Sequence, residues 1–418
     1  MIYTSVIGVV ILMKGNMMTQ TATHTQIRSD KKTEKPVPRM ITRWVQMIMT
    51  AHAGHRKTLA NNALRSMIYN GLGRYAVQKV AFLMTQGVDL NQKDTEGRTL
   101  LMTAAAEQSM AGTRMVQFLI GQGVKTDLTD SQGQTALMMA AACGNVRSAE
   151  ALITAGADLN MRDAAGNTAL LHAAPNSNRA AVVFLLAAGA NPNDTNDVGI
   201  TPLMLAARYN RGSEVLETLL TAGADICTRD DQKQTALFHI TNGYMDAEKV
   251  KTLLAHGAPV NEQDACGDTV LLKAAGRLQA DETVSALLMA GADPNITNKD
   301  GQTALMVAAE HADATDVLQT LLMRGADIDA VDHKGRTALM LAAQNQQSDN
   351  VLTLLHAGAK TNQKAMDGIA TLLNTQYASD TTYENNEKAC LDLLGQSVKH
   401  TVACQKVSVP GLSVGRER

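Results

Sequence analysis

Along most of this chain the apolar positions fall into two kinds of short segment that alternate. The first is compact and Ala-rich, as in Ala136-Leu137-Met138-Met139-Ala140-Ala141. The second carries Val-x-x-Leu-Leu, as in Val250/Leu253/Leu254, Val284/Leu287/Leu288 and Val351/Leu354/Leu355. That spacing puts the apolar side chains on one face of a helix. Polar signals bracket each pair. Asp-x-x-Gly predicts a turn, as in Asp130-Ser131-Gln132-Gly133, and a Thr two residues after the Gly is placed to N-cap the first helix. A Gly after the second helix suits the left-handed C-cap conformation. Ala-Asp-x-Asn, as in Ala157-Asp158-Leu159-Asn160, then leads into the next turn. The predicted elements are pairs of short helices joined by tight turns.

The pattern is periodic. The capping threonines are Thr99, Thr135, Thr168, Thr201, Thr235, Thr269, Thr303 and Thr337, in steps of 36, 33, 33, 34, 34, 34 and 34. The closing glycines are Gly87, Gly123, Gly156, Gly189, Gly223, Gly257, Gly291, Gly325 and Gly358, with the same spacing to within a residue. Two separate landmarks with one period define a repeat protein.

Turn, Thr cap, Ala-rich helix, Leu-rich helix and closing Gly at this spacing resemble the ankyrin repeat. The tetratricopeptide pattern has the same period, but its Trp and Leu-Gly…Tyr landmarks are missing. The resemblance implies an all-α solenoid of stacked helix-turn-helix units with β-turn or hairpin tips. Eight units have clear landmarks, beginning near Asp94, Asp130, Asp163, Asn196, Asp230, Asp264, Asn298 and Asp332. Degenerate units flank them, at Asn61 to Lys93 and Ala365 to Leu394, as expected where a terminal unit presents one face to water. The expected organisation is a tail over 1–38, an amphipathic capping helix over 39–60, the array over 61–394 and a second tail over 395–418.

One departure from the family pattern is consistent. Where the family favours Thr-Pro-Leu-His, Pro202 is the only proline at its position, and the His position holds Met102, Met138, Leu171, Met204, Phe238, Leu272, Met306 and Met340. The resemblance implies that the family's hydrogen bonds between neighbouring turns are lost, and that softer methionine packing replaces them. His172 and His239, one residue further on, are expected as packing residues. Lys233 stands in place of a turn Gly, and Pro175 sits late in its first helix; both mark local irregularities.

Composition changes the picture in two ways. A length of 418 residues suggests two or three domains, but a solenoid grows by stacking and makes the array one body. Aromatics are only 3% while Met numbers 22, consistent with thin layers closed by Ala, Leu, Val and Met. The net charge of −2 argues against an overall basic nucleic-acid binder. It also conceals an asymmetry. Residues 1–60 carry nine Lys/Arg against two Asp/Glu, net +7; residues 395–418 carry four against one, net +3; the array is net −12. A solvated acidic surface accounts for this, and so does a preference for a basic protein partner or a basic tail lying on the array.

Five widely spaced cysteines without a CxxC indicate a reducing compartment rather than a disulfide scaffold. The longest apolar run, Ile2 to Met13, is too short to span a membrane and lacks a preceding basic region. Translation starting at Met17 or Met18, a membrane anchor and an atypical export signal all fit it. The segment Met40 to Met49, with the single Trp44, reads as a cap over the first repeat, with a membrane-surface or partner-binding helix as its rival.

No motif for catalysis is found: GxxxxGK[ST], GxGxxG, HExxH and GxSxG are all missing. His52-x-x-His55 has helical spacing but no third ligand nearby. The turn aspartates are explained by their period. The expectation is therefore a non-enzymatic protein with no cofactor and no metal, cytoplasmic and monomeric, binding a protein partner and not nucleic acid. The resemblance places partner contacts on the concave face, at turn tips and first-helix ends. The turn positions are Arg98, Gln134, Asn167, Asp231, Asp268, His333, Lys334 and Arg336; the helix ends are Gln108, Asn176, Arg208, Tyr209, Tyr244, Arg277, His311 and Asn345. Arg208, Tyr209 and Tyr244 lie in adjacent units and carry the residue types that most often anchor interfaces. An exported effector or membrane-tethered adaptor using the same array is the second reading.

Overall fold

A computed structural model describes residues 53–70, 76–176, 178–210, 212–243, 245–277, 280–362 and 364–367. The apolar run Ile2–Met13, Trp44, the His52–His55 pair, Tyr244 and the degenerate unit beyond 367 lie outside the described residues or have no described side chain. The chain divides into two compact units, one holding residues up to Pro202 with Thr221–Gly223, the other Leu203–Leu220 with the remainder.

The described residues contain helices and no strand, in keeping with the expected all-α helical solenoid. In the first unit they are α1 (Ala53–Asn70), α2 (Ala76–Thr85), α3 (Leu100–Ala106), α4 (Met110–Gly121), α5 (Ala136–Ala142), α6 (Val146–Thr154), α7 (Ala169–Ala173) and α8 (Arg179–Ala187). Then come α9 (Pro202–Tyr209) and α10 (Glu214–Thr221), both starting or ending at the division between units. The second unit continues with α11 (Ala236–Thr241), α12 (Ala247–Ala255), α13 (Val270–Ala275), α14 (Asp281–Met289), α15 (Ala304–Ala309), α16 (Thr315–Met323), α17 (Ala338–Gln344) and α18 (Ser348–His356). Within each unit, first helices pack on first helices of the next repeat and second on second: α3 on α5 and α4 on α6, α15 on α17 and α16 on α18.

Small residues make this stacking close. The first helices bury Ala104, Ala105, Ala140, Ala141, Ala308 and Ala309, leaving little between neighbouring backbones. The second helices bury the first leucine of each Leu-Leu pair, such as Leu253, Leu287, Leu321 and Leu354. Each such leucine contributes about 1.5–3 kcal/mol. The polar links are as regular. Asn261 Oδ1 accepts the N–H of Asp293 at 2.9 Å while its Nδ2 donates to Gly291 O at 3.1 Å, and Asn295 repeats both bonds with Asp327 and Gly325. This is the work of the Asn in Ala-Asp-x-Asn.

Two expectations are corrected. Pro175 does not lie in a helix: α7 ends at Ala173, with Ala174 as its cap, and the proline follows. Methionine at the family's His position also does more than pack. The N–H groups of Thr99, Thr135 and Thr337 donate to Sδ of Met102, Met138 and Met340 at 3.3, 3.4 and 3.3 Å, while each Thr hydroxyl accepts the methionine's own N–H. The thioether thus closes a capping box as a weak acceptor.

The turn irregularity at Lys233 is real strain. The other turn positions hold glycine at positive φ, from Gly97 to Gly335, and Lys233 is forced to φ 60 there. A side chain in the left-handed region costs about 1–2 kcal/mol that Gly does not incur. Lys233→Gly is therefore expected to stabilise the chain by about 1 kcal/mol, read as a higher urea midpoint at unchanged m-value. A lower midpoint would show that the lysine side chain holds the turn.

Candidate partner-binding surface

The turn tips are built the same way in every clear repeat. The leading Asp or Asn turns its Oδ1 back onto two backbone N–H groups, two and four residues on. Asp130 takes Gln132 and Gln134 at 2.9 and 2.8 Å; Asp332 takes Lys334 and Arg336 at 2.9 and 2.7 Å. Neighbouring tips within a unit are tied by backbone bonds, Ser131 to Glu96 and Ala164 to Gln132 in the first, Ala265 to Gln232, Lys299 to Cys266 and His333 to Asp300 in the second. The backbone thus ties tip to tip whatever residue holds the family's His position.

The second carboxylate oxygen often meets a basic side chain. Arg98 Nε pairs with Asp94 at 3.1 Å and Arg336 Nε with Asp332 at 2.7 Å, both four residues apart. His172 Nε2 meets Asp163 Oδ2 and His239 Nε2 meets Asp230 Oδ2, each at 2.8 Å and nine residues apart. Lys273 holds Asp264 at 3.5 Å, with the same spacing, and Asp268 at 2.7 Å. His172 and His239 are therefore partners of the turn acid, not mere packing residues. Burial opposes the charge on Asp163, but hydrogen bonds from Asn167, His172 and Ala165 outweigh it and hold the carboxyl below its ordinary value. Burial pushes the His239 imidazole down, Asp230 pulls it up, and the Arg208 charge pushes it down again. The net direction favours the neutral ring, which donates from Nε2 to Asp230 and leaves Nδ1 buried with no partner.

These bonds sort the expected contact residues. Asn176 donates to Ala142 O and His172 O, Asn345 to Leu341 O, Asp268 is held by Lys273 and Asn298, and Arg336 by its own turn acid. Gln108 caps Cys143 O, and Arg98 and Asn167 bond within their own turns. Asp231, Arg277, His311, His333 and Lys334 are exposed, with side chains free of hydrogen bonds to described residues. Tyr244 lies outside the described residues.

The end of α9 stands apart. Tyr209 is 47% exposed, and the Arg208 guanidinium lies 5.1 Å from its ring centroid, a cation–π contact. This end is also held from below in two ways that the sequence did not suggest. Lys249, on α12, is fully buried and donates from Nζ to Ala207 O at 2.7 Å and Asn210 O at 3.0 Å. Gly243 packs so tightly on Arg208 that a Cβ there would lie 1.8 Å from its carbonyl oxygen. Asn350 does for the end of α15 what Lys249 does for α9, donating to Ala309 O and His311 O at 3.2 and 2.7 Å. Among the described residues no cluster of three metal-ligating side chains occurs, and no helix is long and apolar enough to cross a membrane.

A family profile described as "Ankyrin repeats (3 copies)" matches residues 72–163, 151–230, 203–298 and 277–365. Among solved structures, the crystal structure of the human ASB11 ankyrin repeat domain is 31% identical, covering 55% of this chain and 99% of that domain with a TM-score of 0.49. The search of curated proteins returned no match.

Proposed function

This chain belongs to the ankyrin repeat family, and from that premise we propose that it is a non-enzymatic scaffold that holds a partner protein through its turn tips and first-helix ends. Ankyrin repeats are generally protein-interaction modules. The observation that carries the reading here is the Arg208–Tyr209 pair. A large, half-exposed aromatic ring with a guanidinium stacked on it is an uncommon thing to leave in water, and Tyr and Arg are the usual anchors of interfaces. The backbone beneath it is clamped by Lys249, so little ordering cost accompanies binding. The repeats supply no catalytic motif, which supports the non-enzymatic part of the reading. The net −12 of the array supports a partner that is basic overall. Export or membrane tethering has the apolar run Ile2–Met13 in its favour, and recovery of the native protein in the medium or membrane pellet would establish it.

Truncation of both side chains, Arg208→Ala with Tyr209→Ala, is expected to weaken partner capture by tenfold or more, since hot-spot residues are each worth about 2 kcal/mol or more. The thermal midpoint should move little, because Tyr209 is exposed. Quantitative pull-down with native and doubly substituted full-length chain, paired with a melt, decides it. Capture unchanged by the double substitution sinks this site.

A further inference from the structure

A groove of about 530 Å³ runs across three successive turn tips of the second unit, lined by Arg229 and Lys233 from the first tip, Glu262, Gln263 and Asp264 from the middle one, and Lys299 from the last. Its polar groups are nearly all spoken for. Arg229 pairs with Glu262. Gln263 Nε2 donates to Gly267 O and Thr297 O at 2.7 and 2.9 Å. Asp264 Oδ1 accepts from Cys266 and Asp268 N–H groups, and its Oδ2 faces Gln234 and Lys273. Asn261 and Asn298 are used in the links between repeats. Two lining charges are left over. The ammonium groups of Lys233 and Lys299 are exposed and make no hydrogen bond or ion pair with any described residue. The unspent charge of the groove is therefore cationic, and it comes from both outer tips.

The backbone adds an independent argument. Lys233 sits at φ 60 where the other turns use glycine, so this cation is kept in place at a cost to the fold. Strain of this kind is characteristic of functional sites. The two lysines stand two repeats apart. At about 8–10 Å between packed helices, that is about 20 Å, the length of about six extended residues.

We propose that this groove is a docking site for an acidic, extended segment of a partner protein, with Lys233 and Lys299 each taking a carboxylate. The site is local and runs against the net negative charge of the array, so a partner that is basic overall is bound here by an acidic stretch. It uses none of the residues of the Arg208–Tyr209 patch, and loss of one is separable from loss of the other.

The test is fluorescence anisotropy with a fluorescein-labelled hexaglutamate peptide and full-length chain. Native protein is expected to bind at least tenfold more tightly than the Lys233→Gly/Lys299→Gln variant, and affinity should fall as salt is raised. Because Lys233→Gly relieves strain, the variant should melt no lower than native, so weaker binding cannot be blamed on unfolding. Equal binding by native and variant overturns the proposal, as does a preference for a hexalysine peptide. A phosphoserine peptide bound tenfold tighter than hexaglutamate also overturns it, by making the groove a phosphate site.

Discussion

Gly243→Ala is expected to destabilise the second unit by about 3 kcal/mol, the upper end of what overpacking usually costs, and to weaken partner capture along with it. The added Cβ would lie 1.8 Å from the carbonyl oxygen of Arg208, 2.7 Å from its carbonyl carbon and 3.1 Å from its Cα. All three are backbone atoms, so no rotamer change relieves the contact. The end of α9 must move or the loop after α11 must. Neither is free: Ala207 O and Asn210 O are bonded to Lys249, and Asn242 and Gly243 donate N–H groups to His239 O and Ile240 O. Any shift of α9 carries Arg208 and Tyr209 with it, which ties the stability loss to the binding loss. Gly257→Ala is the control. That glycine has open space around it but lies at φ +86, so its alanine should cost only about 1 kcal/mol, with binding retained. Urea unfolding of the three proteins measures the order. A Gly243→Ala chain as stable as native would show that the loop yields freely and that the junction is not clamped.

Much of the fold could be read from the sequence because the repeat writes its structure locally. Thr99 caps the residue three places on, Asp130 binds N–H groups two and four places on, and the closing glycines take positive φ within their own turn. Such interactions leave a mark at fixed spacing. The acid–histidine pairs at nine residues, Asp163 with His172 and Asp230 with His239, belong to the same class, and their spacing was there to be found. The junction under Tyr209 is different in kind. Lys249 reaches carbonyls 42 and 39 residues away, and Gly243 is shaped by a backbone 35 residues earlier in a neighbouring repeat. Nothing near either residue announces this. Lys249 reads as one more solvated lysine on a helix that already has Lys251 exposed beside it. The groove follows the same logic: Lys233 was legible as a misplaced turn residue, but its partner Lys299 is identified only when the tips are stacked.

Lys249→Ala should cost about 3–5 kcal/mol, whereas Lys249→Met should stay within about 1 kcal/mol of native at neutral pH. Alanine leaves a cavity of most of a long side chain and strips two carbonyls of their donor. Methionine refills the volume. The same helix position in other repeats holds Met115, Val215 and Val317, all buried, so an apolar side chain is at home there. Methionine also removes the cost of a buried charge, which offsets the lost hydrogen bonds. The pH dependence separates that offset from simple packing. Burial pushes the Lys249 ammonium below its ordinary value of 10.5, with Asp246 pulling weakly the other way. The folded chain thus holds this proton less tightly than the unfolded chain does. Between the lowered value and 10.5 the unfolded chain binds more protons, so this residue's contribution to stability rises with pH across that window. Below the window the charge penalty is present in full. The methionine variant has no such proton, so it should compare best with native near pH 7 and fall behind as pH climbs toward 10.5. Urea midpoints of both proteins across that range provide the comparison. A gap that does not change with pH would mean that Lys249 titrates as it does in water, and that the carbonyl ends of α9 compensate its burial completely.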